Sequence, residues 1–308
     1  MKPRHDLPAT PFARAHPLLL DRALGSFLGL AVGDALGATV EFMTAREIAA
    51  QYTVHRQIIG GGWLRLRPGR VTDDTEMALA LGSALIASDG WNPRAIADAF
   101  VAWMRKLPID IGDTCRRGIV HYLSNGELSA PFSSDHAGNG AAMRNLPTVF
   151  VSLESEDVVI QRSIEQAHIT HNNPKSDAAT ASLACMTRRL LFEGAEAACD
   201  QIAADLIAQY PEFRFRPWPG KSSGYIVDTV QTVFDGFFST GSFEDCLVRV
   251  VNRGGDADTT GALAGQLAGA LYGAQGIPAR WLKALDPAVS AAIYDQTPRL
   301  LQLSSFMV

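Results

Sequence analysis

Glycines at positions 25, 29, 33 and 37 recur every fourth residue within an apolar run over residues 23–40. Residues four apart share one helix face, so the spacing predicts a helix with one face of bare backbone. Few folds use such a face. A second helix must pack on it at close range, as along the small-residue seams of membrane helices. Asp34 in the same run argues against a membrane span, where a lone carboxylate is expensive. The expected role is a core helix, with Asp34 a polar residue facing the site end. Glu41 follows directly and reads either as a solvated loop carboxylate or as part of that site.

Two acidic stretches open helices. In Asn252-Arg253-Gly254-Gly255-Asp256-Ala257-Asp258-Thr259-Thr260-Gly261, two carboxylates and two hydroxyls precede a small apolar run through Leu271. Val71-Thr72-Asp73-Asp74-Thr75-Glu76-Met77 repeats that composition before a stripe of Met77, Leu81 and Leu85. A helix N-cap needs one Asp or Thr, and each stretch offers more. Adjacent Asp73 and Asp74 repel unless a cation sits between them. All-oxygen ligands suit magnesium, calcium or manganese, whereas zinc wants His or Cys. The two helix starts are therefore expected to converge on one metal centre rather than to be independent caps.

The rest of the chain reads as successive helices without strand alternation or a domain linker, giving a single all-α domain over residues 18–308. Residues 1–17 are polar, Pro-rich and basic, and read as a loose tail lacking the apolar core of a secretory signal. Gly60-Gly61-Gly62-Trp63 lies in a loop, with Trp63 expected to anchor it in the core rather than to serve as a substrate platform. Asp110, between Ile109 and Ile111, reads either as a cap or as an acid/base carboxylate whose pKa is raised by apolar neighbours. Gly138-Asn139-Gly140 is expected to enter a helix, where backbone amides could meet a phosphate. His171 follows a helix over residues 156–170, and either satisfies its last carbonyls or contacts substrate. Tyr225 is a base-stacking or core-edge residue, and the aromatic-cationic loop over residues 211–219 a partner contact or connector. The net charge of −5 leaves no basic footprint for nucleic acid. Four isolated cysteines suggest buried thiols in a reducing compartment, the cytoplasm.

Taken together, Gly33-Asp34-Ala35-Leu36-Gly37 through Glu41, Thr72-Asp73-Asp74-Thr75 and Gly254 through Gly261 resemble the ADP-ribosylglycohydrolase family, in its order and spacing. The resemblance runs over about residues 20–290 and extends to the bacterial branch acting on nitrogenase iron protein. It implies a compact all-α fold with two divalent cations, Mn2+ or Mg2+, on Thr72, Asp73, Asp74, Asp256, Asp258 and Thr259. Glu41 matches the acidic residue beside the metals.

The implied reaction is hydrolysis of the N-glycosidic bond between ADP-ribose and an arginine, with Asp110 or Glu41 moving the proton. Gly138, Asn139 and Gly140 would meet the phosphates, and His171 and Tyr225 the ribose and adenine. Asp113 stands where the family pattern leads one to expect asparagine, putting extra negative charge beside a pyrophosphate subsite. The branch also implies a PII signalling protein and an ammonium transporter as partners, with reversible recruitment to the inner membrane; a monomer suffices. The rival expectations are a sibling hydrolase with another protein target, a non-catalytic ADP-ribose binder, and a dimetal phosphoesterase.

Overall fold

Pro17, which has no amide hydrogen to leave unpaired, opens helix α1 (Pro17–Gly37) in a computed structural model that describes residues 14–134 and 137–307. Thirteen further α-helices follow among the described residues. They are α2 (Ala45–Tyr52), α3 (Asp73–Ala87), α4 (Pro93–Met104), α5 (Asp113–Asn125), α6 (Leu146–Phe150) and α7 (Glu156–His168). Then come α8 (Pro174–Glu193), α9 (Asp200–Gln209), α10 (Ile226–Phe237), α11 (Phe243–Val251), α12 (Ala257–Tyr272), α13 (Ala279–Ala284) and α14 (Pro287–Gln302). Among the described residues, extended backbone pairs only at isolated bridges, among them Thr44 with Gly254 and Gly138 with Tyr225. Local chemistry sets many helix starts. Asn92, Ser155, Asn173 and Ser242 each accept a bond from a first-turn amide of the helix they precede.

The four-residue glycine repeat finds its partner in α12. A Cβ built on Gly25, Gly29 or Gly33 would fall within 3.0 Å of the backbone of Gly269, Gly265 or Gly261, and one on Gly37 would strike Ala257. The falling partner numbers make the two helices antiparallel. Both are buried along almost their whole length, as helices apolar on every side must be. Ser26 Oγ locks the register by donating to the Gln266 carbonyl at 2.9 Å. Helices α8 and α14 pack on α1, while α10 and α11 pack on α12. No helix of the described residues is long and apolar enough to cross a membrane.

Some predicted boundaries shift. The first 13 residues of the predicted tail lie outside the described residues, and its last, Pro17, already belongs to α1. The run over residues 23–40 stops being helical at Gly37 and turns, which aims Glu41 back across the helix end. Gly138-Asn139-Gly140 does not open a helix: turns occupy residues 140–144, and the next helix, α6, starts at Leu146.

Gly33→Ala is expected to destabilise the fold by about 3 kcal/mol or more, because a methyl group meets rigid backbone rather than a side chain that can move. Gly241→Ala, where an added Cβ meets nothing within 4 Å, is the control and should stay near wild type. Urea denaturation of both variants checks the difference.

Candidate active site

Antiparallel packing places the end of α1 beside the start of α12, so Asp34 and Glu41 lie next to Asp256 and Asp258. Asp34 then fixes a third element. Its Oδ1 accepts from Thr72 N and Thr72 Oγ1, each at 2.9 Å, and its Oδ2 from Thr75 N at 3.2 Å and Thr75 Oγ1 at 2.5 Å. Asp34 therefore caps α3 from a different helix. Thr72 and Asp256 occupy the N-cap positions of α3 and α12, yet neither side chain caps its own helix. The oxygens of the two acidic stretches thus converge, as their composition led one to expect, rather than serving as independent caps.

Thr72 Oγ1 lies 3.2 Å from Asp74 Oδ2 and 3.3 Å from Asp258 Oδ2, so one hydroxyl proton faces three carboxylates, counting Asp34. Asp74 Oδ1 is buried with no hydrogen-bond partner. Oxygens of Glu41, Asp110 and Asp258 lie within 4.8 Å of one another. Asp73 Oδ2 accepts from Gly112 N at 3.2 Å, and Asp256 Oδ2 from Asn139 Nδ2 at 2.5 Å.

Burial, reinforced by neighbouring carboxylates, pushes Asp73 up to about 7 and Asp74 and Asp258 well above the usual range. Burial also lifts Glu41 to about 8 against its bond from Trp63, and Asp34 to about 6 against its four donors. Asp256 and Asp110 are raised too, again chiefly by desolvation. An orphaned buried carboxylate oxygen among mutually repelling carboxylates fits a hard cation, since Lewis-acid charge removes both penalties at once.

Two glycines make the convergence possible. Gly254 and Gly255 have φ of +71° and +65°, and a Cβ on either would strike the Met43 or Ser222 carbonyl. Their backbone stitches the two loops together: Phe42 N donates to Gly255 O at 2.7 Å, and Gly255 N to Met43 O at 2.8 Å. The resulting cavity, of about 390 Å³, is lined by Glu41, Asp73, Asp110, Asp113, Gly138, Asn139, Gly140, His171, Asp256, Asp258 and Thr259. Thr72 and Asp74 lie buried beneath it.

Tyr225 does not line the cavity; it is 38% exposed, occupies the N-cap position of α10 without a side-chain capping bond, and accepts from Lys175 Nζ at 3.2 Å. Asp113 pairs with Arg116 at 2.6 Å and Arg117 at 3.2 Å, so the extra negative charge expected there is compensated. His171 lies beyond the end of α7, its Nδ1 2.7 Å from Thr170 Oγ1 and its ring against Gly138 and Gly140.

Three features escaped the sequence reading. Asp34 is a structural hub rather than a residue merely facing the site. Arg144 is fully buried behind the cavity, donating to Thr170 Oγ1 at 2.8 Å and lying 4.4 Å over the Phe100 ring. Trp63 does not anchor its loop in the core. It is 52% exposed, packs against Phe42 at 5.3 Å, and donates Nε1–H to Glu41 Oε2 at 2.6 Å.

An all-helical domain with buried carboxylates and hydroxyls gathered at converging helix ends defines a class of protein suited to chemistry on a hard cation. Within that class the chain belongs to the ADP-ribosylglycohydrolase family, whose model matches residues 15–305. It is 52% identical to the ADP-ribosyl-(dinitrogen reductase) glycohydrolase of Rhodospirillum rubrum, over 94% of this chain and 98% of that one. It is 32% identical to the ADP-ribosylarginine hydrolase Tri1 of Serratia proteamaculans, over 86% of this chain and 75% of that one. A solved ADP-ribosylglycohydrolase-related protein complex superposes with a TM-score of 0.82 at 34% identity, covering 94% of this chain and 99% of that chain.

Two outcomes follow from the geometry. Asp34→Ala leaves the Thr72 and Thr75 amides without their acceptor and is expected to cost about 2–4 kcal/mol, read by denaturation. Chelator-treated protein should lose stability as pH rises. Carboxylates with raised folded pKa values hold their protons longer than in the unfolded chain, so the penalty is absent below the ordinary carboxylate range. It grows to full size as pH passes the folded values, which reach about 7 for Asp73 and about 8 for Glu41. A thermal midpoint falling between roughly pH 4 and 8, and restored by added Mn2+, is the expected result; a flat profile in chelator contradicts it.

Proposed function

We propose that the chain removes ADP-ribose from an arginine of dinitrogenase reductase, the nitrogenase iron protein, by hydrolysing the N-glycosidic bond and so reactivating nitrogenase. The observation that carries this reading is the 52% identity, nearly end to end, with the Rhodospirillum rubrum glycohydrolase of that name. The lower identity to the Tri1 hydrolases leaves the sibling reading, the same bond in another protein, as the rival.

In this proposal Thr72, Asp73, Asp74, Asp256, Asp258 and Thr259 hold two divalent cations, Mn2+ or Mg2+. Bound there, the cations would supply Lewis-acid stabilisation for the ribose hydroxyls and for a water. The chain's own groups do the remaining work. A protonated Asp110 or Glu41 carboxyl, each raised by burial, can give its proton to the departing guanidine nitrogen as the ribose C–N bond breaks. Water supplies oxygen to the ribose carbon, and its proton returns to a carboxylate. Asn139 holds Asp256 in place through its amide. The Gly138–Gly140 turn and His171 form the wall assigned to the ADP-ribose. Arg116 and Arg117, paired with Asp113, offset the negative charge that Asp113 brings to that wall. A PII protein and an ammonium transporter, with recruitment of a cytoplasmic monomer to the inner membrane, belong to the same proposal.

Incubation of ADP-ribosylated dinitrogenase reductase with the protein and Mn2+ should release intact ADP-ribose and restore nitrogenase activity. Release only from other arginine-modified proteins would move the assignment to the sibling hydrolase. Asp256→Ala should abolish turnover while the circular dichroism stays helical. Asp110→Ala should lower kcat by about 10²-fold or more with a smaller change in KM, as loss of a proton-transfer group does; unchanged kcat removes Asp110 from that role.

A further inference from the structure

A groove of about 760 Å³ runs from the reaction centre across the face of α2. It shares Glu41, Phe42 and Trp63 with the reaction cavity, but none of Gly138, Asn139, Gly140 or His171. It therefore leaves the centre by a different route from the wall assigned to ADP-ribose. Its far side is formed by Ala50, Gln51 and Tyr52.

The groove mouth carries a local structural cost. Phe42 has φ of +62°, a left-handed backbone that a bulky residue rarely adopts. Phe42 is 64% exposed, and its ring packs against the half-exposed Trp63. An aromatic pair held open by a strained backbone gains little from folding alone, and such strain concentrates at sites of recognition. The groove's charge is one-sided. Glu47 carries that charge, its carboxyl kept ionised by bonds from the Thr44 amide and hydroxyl, and among the described residues no lysine or arginine lines the groove.

We infer that this groove receives the polypeptide flanking the modified arginine, with Phe42 and Trp63 as the aromatic platform over which the chain leaves the centre. The inference rests on the proposed arginine-directed reaction. An ADP-ribosylated guanidine keeps its positive charge, so an arginine side chain approaching past Glu47 meets complementary charge. Exposed aromatics are the residue type that dominates binding energy at protein interfaces. Trp63 has a second task in this arrangement: its indole N–H holds the Glu41 carboxyl group between groove and cavity.

The test compares two substrates, ADP-ribosylated dinitrogenase reductase and free N-ADP-ribosyl-arginine, in the Mn2+-loaded enzyme. Ala50→Trp fills the groove from the exposed face of α2. Phe42→Gly removes the ring at a position whose backbone suits glycine. Both variants should raise KM for the protein substrate about tenfold or more, while Ala50→Trp leaves kcat and KM for free N-ADP-ribosyl-arginine at wild-type values. Unchanged KM for the protein in both variants overturns the inference. So do equal losses on both substrates, since the effect then lies at the centre. Wild-type enzyme inactive on both substrates overturns the reaction assignment itself, and the groove with it.

Discussion

Everything at the reaction centre depends on two helix backbones touching. Side chains normally hold helices 8–10 Å apart; bare glycine faces let α1 and α12 approach more closely. The contact is not chiefly a source of hydrophobic stability, because glycine buries little apolar surface. Its value is positional. With no side chain between them, the two helices have no slack in register, and the Ser26–Gln266 bond fixes what remains. The carboxylates at the shared end inherit that rigidity.

Rigidity matters because the centre opposes folding. Asp34, Asp73, Asp74, Asp256 and Asp258 are all buried or nearly so, and each is driven toward its neutral form by desolvation. Asp34 differs from the others in having its oxygens met by four donors from the start of α3. It turns one buried charge into a cap, and so releases Thr72 from capping its own helix. The remaining carboxylates are left under-satisfied, which is the condition a cation relieves.

Much of this was legible in the sequence. The repeat at Gly25, Gly29, Gly33 and Gly37 announced a close helix pair, and the two acidic stretches announced a convergent oxygen-rich centre. The partner of the glycine repeat was also present, as Gly261, Gly265 and Gly269 at the same spacing, in a stretch whose apolar residues drew attention first. Asp34 as a cap was not legible, because its acceptor role joins residues about forty apart through tertiary packing that local pattern does not encode. Trp63 was misplaced because a large aromatic in a glycine-rich loop usually goes inward, and only the position of Glu41 shows why this one does not. Gly138-Asn139-Gly140 looked like a helix entrance because turns and helix starts draw on the same residues.

The seam also sets when a working molecule can exist. Its two faces are separated by more than two hundred residues, as the 240-residue span of the Ser26–Gln266 bond records. A ribosome delivering the chain from its N-terminus releases α1 long before α12 emerges. Until then an apolar helix with an unfilled groove along one side has no native partner, and contacts of such long range form slowly. This is the species that would need shielding in the cell, and substitutions along the seam should show their first effect on the yield of folded protein rather than on catalysis.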